Sequence, residues 1–264
     1  MLNKLLKYDL KSNFKFMLIF YALALFFAIL TKICFAHATN LAIQIFAYIF
    51  NGTTIAMIAN ILINNLMRLW VYFKTNLYAD EGYLMHTLPV PRKNLFTSKF
   101  LTGLIILITS TIVIVATTAI AWLTPESFEA LKNFLAPMAE ILDSTATEII
   151  ILMIIVVFLE VFVMLISGYI GIILGYKKLS NRTGWSILFG LICYVVIQLI
   201  ILFGVFILAG INPKIGNSLF SSEQLIPDIS VLRPIYTLSI VLYLIIIALS
   251  FVLSQKWFKK IDLD

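Results

Sequence analysis

The stretch that decides the fold is residues 147–174, which read TEIIILMIIVVFLEVFVMLISGYIGIIL. Between Ile149 and Ile166 it holds a single charged residue, Glu160. About 20 predominantly apolar residues suffice to cross the hydrocarbon of a bilayer as a helix. The whole chain of 264 residues is 62% hydrophobic and 12% charged, whereas a soluble domain is roughly half apolar and a quarter charged. We therefore predict that its solvent is lipid.

Five further stretches have the length and the apolar composition of membrane spans. The six predicted spans, with ends uncertain by a few residues, cover residues 14–36, 43–66, 98–122, 147–174, 186–210 and 234–255. The sequence thus predicts an all-α integral membrane protein, with six transmembrane helices in a single transmembrane domain over residues 1–264. The second span carries four asparagines, so a partly broken helix and a helix lining a polar path both stay open: Asn51, Asn60, Asn64 and Asn65.

Lysine and arginine are concentrated on one side of the predicted membrane. Six spans put both termini on that side, together with the segments near 67–97 and 175–185. Of the 19 basic residues, 15 fall there, and the other side keeps Lys32, Lys132, Lys214 and Arg233. Because cytoplasmic loops carry the excess of Lys and Arg, we predict a multi-pass protein of the cell membrane with both termini in the cytoplasm. The net charge of +6 then requires no nucleic-acid partner.

Residues 1–13 have a helical pattern of their own. Lys4, Lys7, Lys11 and Lys15 recur at helical spacing, while leucines occupy another face. This pattern favours an amphipathic helix that lies in the cytoplasmic interface, in contact with membrane lipid, before the first span. A basic flank that only fixes the orientation of the first span is the alternative.

Motifs for covalent chemistry, metal binding or nucleotide binding are absent from the sequence. The two histidines, His37 and His86, fall on opposite sides of the predicted membrane, which excludes a two-histidine metal site. There is no HExxH, GxSxG, GxGxxG or GxxxxGK[ST]. We therefore expect no catalytic residue, no metal and no cofactor bound by this chain.

Polar residues at interior depth are the remaining candidates for a site. Glu160 lies near the middle of the fourth span, where a charge is costly unless it is paired, protonated or hydrated. Asn60 and Gln198 are its candidate partners. Two interpretations stay open for Glu160: a structural hydrogen bond to a neighbouring helix, or a place, with Asn60 and Gln198, on a substrate or gating path.

Small residues recur at the end of the fourth span. Ser167, Gly171 and Gly175 stand four residues apart, a spacing that lets two helices approach closely. They are expected to pack either against another helix of this chain or against a second membrane subunit.

Two segments carry a resemblance to a known family. Residues 5–11 read LLKYDLK, and residues 78–99 read YADEGYLMHTLPVPRKNLFTSK. Together with the six-span topology they resemble the membrane (permease) subunits of type-2 ATP-binding-cassette exporters of low-GC Gram-positive bacteria. In that family an acidic pair and GY precede a TLPV element and a basic residue, shortly before the third span.

The resemblance implies a permease that forms half of a translocation path. A second permease subunit, identical or related, would supply the other half, and a separate cytosolic ATPase would carry ATP and magnesium. The first cytoplasmic loop would form a short coupling helix that docks on the ATPase through Asp80, Glu81, Gly82 and Tyr83; an ordinary solvated loop is the alternative. The expected substrate is hydrophobic or amphipathic, for example a peptide, bacteriocin, toxin or drug-like compound.

Two other functions stay open at this point. Glu160 is compatible with a proton-coupled secondary transporter, although such carriers more often show paired repeats and broken helices. A membrane protein without transport activity, such as a peptide-immunity protein or a sensor, is the third interpretation.

Overall fold

A computed structural model describes residues 2–87, 89–141, 144–178, 180–212, 215 and 232–259. Regular secondary structure in these ranges is entirely α-helical, which confirms the predicted fold class. The elements are α1 (Leu2–Ala36), α2 (Leu41–Tyr78), α3 (Asp80–Thr87), α4 (Arg92–Trp122), α5 (Pro125–Ile141), α6 (Ala146–Gly175), α7 (Arg182–Ile211) and α8 (Leu232–Lys259).

Six of these helices, α1, α2, α4, α6, α7 and α8, are long and apolar enough to cross a membrane. Each predicted span lies within one of them, so the chain is a multi-pass membrane protein. A helix satisfies its own backbone hydrogen bonds, and hydrocarbon offers no others. That constraint explains why the apolar runs fold as continuous helices.

Three helices extend well beyond the predicted spans at one end. α1 begins at Leu2, α2 continues to Tyr78, and α4 begins at Arg92. The helix predicted over residues 1–13 is therefore present, but it is not a separate element, because it continues without a break into the first span. Its amphipathic pattern is as predicted: the lysines are exposed and the leucines between them are half-buried.

The chain divides into two compact units, residues 1–128 and 129–261, with the boundary inside α5. The predicted single transmembrane domain thus contains two units of three long helices each. In the first unit, α1 packs against both α2 and α4. A stripe of α1 residues at intervals of three or four is buried there: Asp9, Asn13, Met17, Tyr21, Ala24, Ala28 and Thr31.

The asparagines of α2 hold the first unit together. α2 is unbroken from Leu41 to Tyr78, so the alternative of a broken second span is wrong. Asn65 donates to Ser110 Oγ at 2.6 Å, and Tyr21 Oη shares that hydroxyl at 2.5 Å. Near the other end of the bundle, Asn51 accepts a hydrogen bond of 2.8 Å from the indole of Trp122. These amides therefore join helices to one another.

In the second unit, α6 and α7 approach closely through small residues. A Cβ atom at Gly171 would lie 2.5 Å from Cα of Gly190, and one at Gly175 would lie 2.4 Å from the backbone nitrogen of Ser186. Ser167 is also buried on this face. Of the two interpretations of the Ser167–Gly171–Gly175 stripe, packing within the chain is therefore the correct one.

Beside this contact, α8 completes a common core with α6 and α7. The core consists of two residues from each helix: Leu159, Val163, Ile197, Ile201, Tyr243 and Ile246. α5 covers the start of α6, where Leu135 and Ala139 pack against Ile149.

We predict that Gly171→Ala destabilises the protein by about 1–3 kcal/mol, the usual cost of an overpacked core. The added methyl group meets backbone atoms of α7, which cannot turn aside as a flexible side chain can. Thermal unfolding of the detergent-solubilised protein measures the effect. Gly210→Ala is the matched control, because nothing lies within 4 Å of its Cβ position. Equal unfolding temperatures for the two variants would contradict the packing described.

Candidate functional site

A buried ion pair joins α1 and α4 at the end of the first unit where both helices begin. Lys99 Nζ lies 2.6 Å from Asp9 Oδ1, and the two residues are 2% and 3% exposed. Asp9 Oδ1 also accepts from Tyr72 Oη at 2.7 Å, and Asp9 Oδ2 accepts from Ser98 Oγ at 2.6 Å. Both carboxylate oxygens are therefore occupied, as a buried charge requires.

The same lysine connects this pair to α2 and α3. Lys99 Nζ donates to Asn76 Oδ1 at 2.7 Å and lies 4.3 Å from the centre of the Tyr72 ring. The amide nitrogen of Asn76 donates in turn to the carboxylate of Glu81. A continuous path of polar contacts thus links all four helices of the first unit, and we call it the Asp9–Lys99 network: Asp9, Tyr72, Asn76, Glu81, Ser98 and Lys99.

α3 is the short helix predicted between the second and third spans, and it folds tightly against the end of α2. Ala79 separates the two helices, and its carbonyl accepts from the backbone N–H of Gly82 at 2.7 Å. A Cβ atom at Gly82 would lie 2.9 Å from the carbonyl carbon and oxygen of Leu77. Glycine at this position therefore permits the close contact. On the open side of α3, Leu84 is 66% exposed.

The four predicted docking residues thus divide into two groups. Glu81 and Gly82 fasten α3 to α2, Glu81 through Asn76 and Gly82 through backbone contact. Asp80 and Tyr83 lie in the helix, but their side chains are outside the described residues. Among the side chains of α3 that the structure describes, Leu84 is the exposed large apolar one, and sequence reasoning did not single it out.

A second polar cluster lies in the middle of the second unit, around Glu160. Its Oε1 accepts from Tyr194 Oη at 2.5 Å and from Gln198 Nε2 at 2.7 Å. Its Oε2 accepts from the hydroxyl of Tyr243. Tyr194 and Gln198 stand four residues apart on α7, and Tyr243 comes from α8. Glu160 itself is half-buried.

The structure brings together two of the three predicted path residues. Gln198 is hydrogen-bonded to Glu160, as predicted. Asn60 belongs to the first unit. Its backbone carbonyl oxygen and its side-chain Oδ1 both accept hydrogen bonds from the side-chain amide of Asn64. Within the described part of the chain, no group of three His, Cys, Asp or Glu residues is arranged to hold a metal ion.

Sequence reasoning missed Asp9, although a signal was present. Asp9 is the only acidic residue among the first 79, and it begins a stripe that continues at four-residue spacing through the uncharged Asn13, Met17 and Tyr21. An acid aligned with such a stripe faces neighbouring helices. Tyr194 had a comparable signal, because it lies one helical turn from Gln198.

We predict that Lys99→Met lowers the free energy of unfolding by about 3–5 kcal/mol, since it leaves the Asp9 carboxylate buried without its cation. Asp9→Asn combined with Lys99→Met should restore much of this loss, because no unpaired charge then remains buried. Denaturation in mixed micelles measures both changes.

Lys4→Met is the control for this comparison, because Lys4 is an exposed lysine of the same unit. It should change the stability by less than about 0.5 kcal/mol. A Lys99→Met variant as stable as Lys4→Met would show that the ion pair does not hold these helices together.

Comparisons with protein-family models, with curated proteins and with solved structures give no match to this chain.

Proposed function

We propose that this chain is the permease subunit of an ATP-binding-cassette exporter, coupled to a separate cytosolic ATPase. The observation that carries the proposal is the way α3 is held. A short helix between two long apolar helices is connected through Glu81, Asn76 and Lys99 to Asp9 at the start of a third. A force applied to α3 is thereby applied to α1, α2 and α4 together.

The sequence itself supplies the reason for an external energy source. It contains no GxxxxGK[ST] motif, the loop that usually cradles nucleotide phosphates. A transporter of this kind takes its energy from a partner, which carries the ATP and magnesium. α3 lies in the segment that the excess of lysine and arginine assigns to the cytoplasm, which is the side where an ATPase would meet it.

The proposal includes a second permease subunit, identical or related, and a location in the cell membrane. α7 supports a role for lipid and for such a subunit, because 13 of its large apolar side chains are exposed, from Ile187 to Ile211. Lipid or another apolar helix is a suitable neighbour for that surface. The proposed substrate is hydrophobic or amphipathic, of the peptide, bacteriocin, toxin or drug-like classes, and it moves outward.

One observation favours a second candidate, a proton-coupled secondary transporter. Glu160 lies at the centre of an apolar helix and is surrounded by groups that exchange hydrogen bonds, Tyr194, Gln198 and Tyr243. In that case a proton gradient alone would drive transport in sealed vesicles, and Glu160→Gln would abolish it. The exporter proposal predicts no transport without the ATPase.

The direct test is purification of the detergent-solubilised chain from membranes of its host. We expect an ATPase that contains a GxxxxGK[ST] motif to elute with it in a fixed ratio. Reconstituted together in liposomes, the two should hydrolyse ATP faster than the ATPase alone. Cargo transport by the chain without any companion subunit would refute the proposal.

We predict that Leu84→Asp abolishes co-elution of the ATPase, because it places a charge on the open face of α3. Leu123→Asp is the matched control, since Leu123 is 48% exposed and lies at the opposite end of α4 from α3. That variant should retain the ATPase. An equal effect of both substitutions on co-elution would contradict docking through α3.

We also predict that Asn76→Ala uncouples hydrolysis from transport. This substitution removes the link between Lys99 and Glu81 but leaves the open face of α3 unchanged. The ATPase should still co-elute and hydrolyse ATP, while substrate flux per ATP falls by about tenfold or more, the effect of losing a coupling free energy of 1–3 kcal/mol. Unchanged flux per ATP would show that the network carries no coupling.

A further inference from the structure

Glu160 is a carboxylate without a described cationic partner. It is the fifteenth of the 30 residues of α6, so it is about equally distant from both ends of the helix. Its three hydrogen-bond partners, Tyr194, Gln198 and Tyr243, are all neutral, and each donates to a carboxylate oxygen. Three donors around one acid match the ionised form, which only accepts hydrogen bonds. The cluster is therefore built to hold a negative charge.

The described basic side chains of α6, α7 and α8, and those of the turn between α6 and α7, lie several helical turns from the cluster. Lys177 follows Glu160 by 17 residues, which is about 25 Å along a helix. Arg182 precedes Tyr194 by 12 residues, or about 18 Å. Arg233 and Lys256 lie ten residues before and 13 residues after Tyr243, at about 15 and 20 Å. Hydrogen bonds stabilise the carboxylate, but they leave its net charge in place.

The surroundings of the cluster favour an organic cation over an inorganic one. Calcium and magnesium need six or more oxygen ligands, whereas this cluster offers one carboxylate whose oxygens already accept three hydrogen bonds. An ammonium, phosphonium or guanidinium group needs no shell of oxygens, and aromatic ring faces attract it. Tyr194 and Tyr243 provide two such rings, and Phe158 packs against the core cluster to which Tyr243 belongs. Glu160 is half-buried, so part of the residue is open at the surface of the second unit.

We propose that Glu160, Tyr194, Gln198 and Tyr243 form a binding site for the positively charged group of a lipophilic ligand. This inference rests on the proposed function. It specifies the substrates of the exporter as cationic amphiphiles. Binding itself requires neither the ATPase nor transport. The two proposals can therefore fail separately.

The test uses the purified full-length chain in lipid nanodiscs and a pair of probes with opposite charge and nearly the same shape. Tetraphenylphosphonium should bind saturably, and tetraphenylborate should not compete with it. Glu160→Gln should weaken binding of the phosphonium by roughly tenfold or more, as expected for a charge pair formed away from water. Tyr243→Phe, which removes one donor that orients the carboxylate, should weaken it less.

Glu148→Gln is the matched control, because it removes one carboxylate from the same helix. Glu148 belongs to the capping box at the start of α6, and glutamine can also fill that capping position. This variant should bind tetraphenylphosphonium as the unmodified protein does. Equal weakening by Glu148→Gln and Glu160→Gln would mean that only general electrostatic attraction is measured, and it would overturn the proposal.

A second measurement needs no variant, and so it also applies if Glu160→Gln fails to fold. Dicyclohexylcarbodiimide, a lipophilic reagent that reacts with carboxyl groups through their protonated form, should label Glu160 in the unmodified protein during long incubation at mildly acidic pH. Tetraphenylphosphonium should protect Glu160 in proportion to its occupancy, and tetraphenylborate should not. Labelling at Glu160 that is unchanged at saturating phosphonium, or protection by both probes, would refute the site. Co-elution of the ATPase tests the exporter proposal independently of either result.

Discussion

Hydrocarbon gives a polar group no partner, so each polar side chain within a membrane bundle must find one in the protein. This constraint fixes the first unit. Leucine packs on lipid tails as well as on another helix, and apolar contact alone therefore selects no register. The contacts Asp9–Lys99, Asn65–Ser110 and Thr31–Thr54 have to be made together. We infer that they set how α1, α2 and α4 align.

The same constraint explains how much could be predicted. Apolar runs of sufficient length predicted six spans, because length and composition are local properties. Residues 67–78 contain no such run, and their helical continuation was missed because the residues buried there, such as Phe73 and Asn76, do not form an apolar run of spanning length. The pairing of Asp9 with Lys99 spans 90 positions of sequence. It requires knowledge of helix register, which single-sequence patterns do not contain.

Glu160 and its partners were predicted in part for a similar reason. Depth within a span marked Glu160 and Gln198 as polar residues that need partners, and the two indeed meet. Tyr194 could have been found from its position one helical turn before Gln198. Tyr243 gave no such signal, because a tyrosine in an apolar segment is not by itself a sign of a polar contact. The two acids also differ in kind. Asp9 is paired with a lysine and sealed inside its unit, whereas Glu160 has neutral donors and is half-buried.

In the proposed exporter, this difference gives the two clusters different roles: one transmits movement and the other binds the substrate. Hydrogen bonds weaken steeply as they lengthen or bend, whereas apolar surfaces slide past each other at little cost. A displacement of α3 therefore either carries α2 with it or breaks the hydrogen bond between Asn76 and the Glu81 carboxylate. Asn76 in turn accepts from the buried Lys99, which is paired with Asp9 of α1. The Asp9–Lys99 network, which is buried except at Tyr72 and Glu81, is suited to transmitting movement because its polar groups find their partners within the protein. Glu160, for which the described residues provide no cation, is suited to the opposite task of binding a charged ligand.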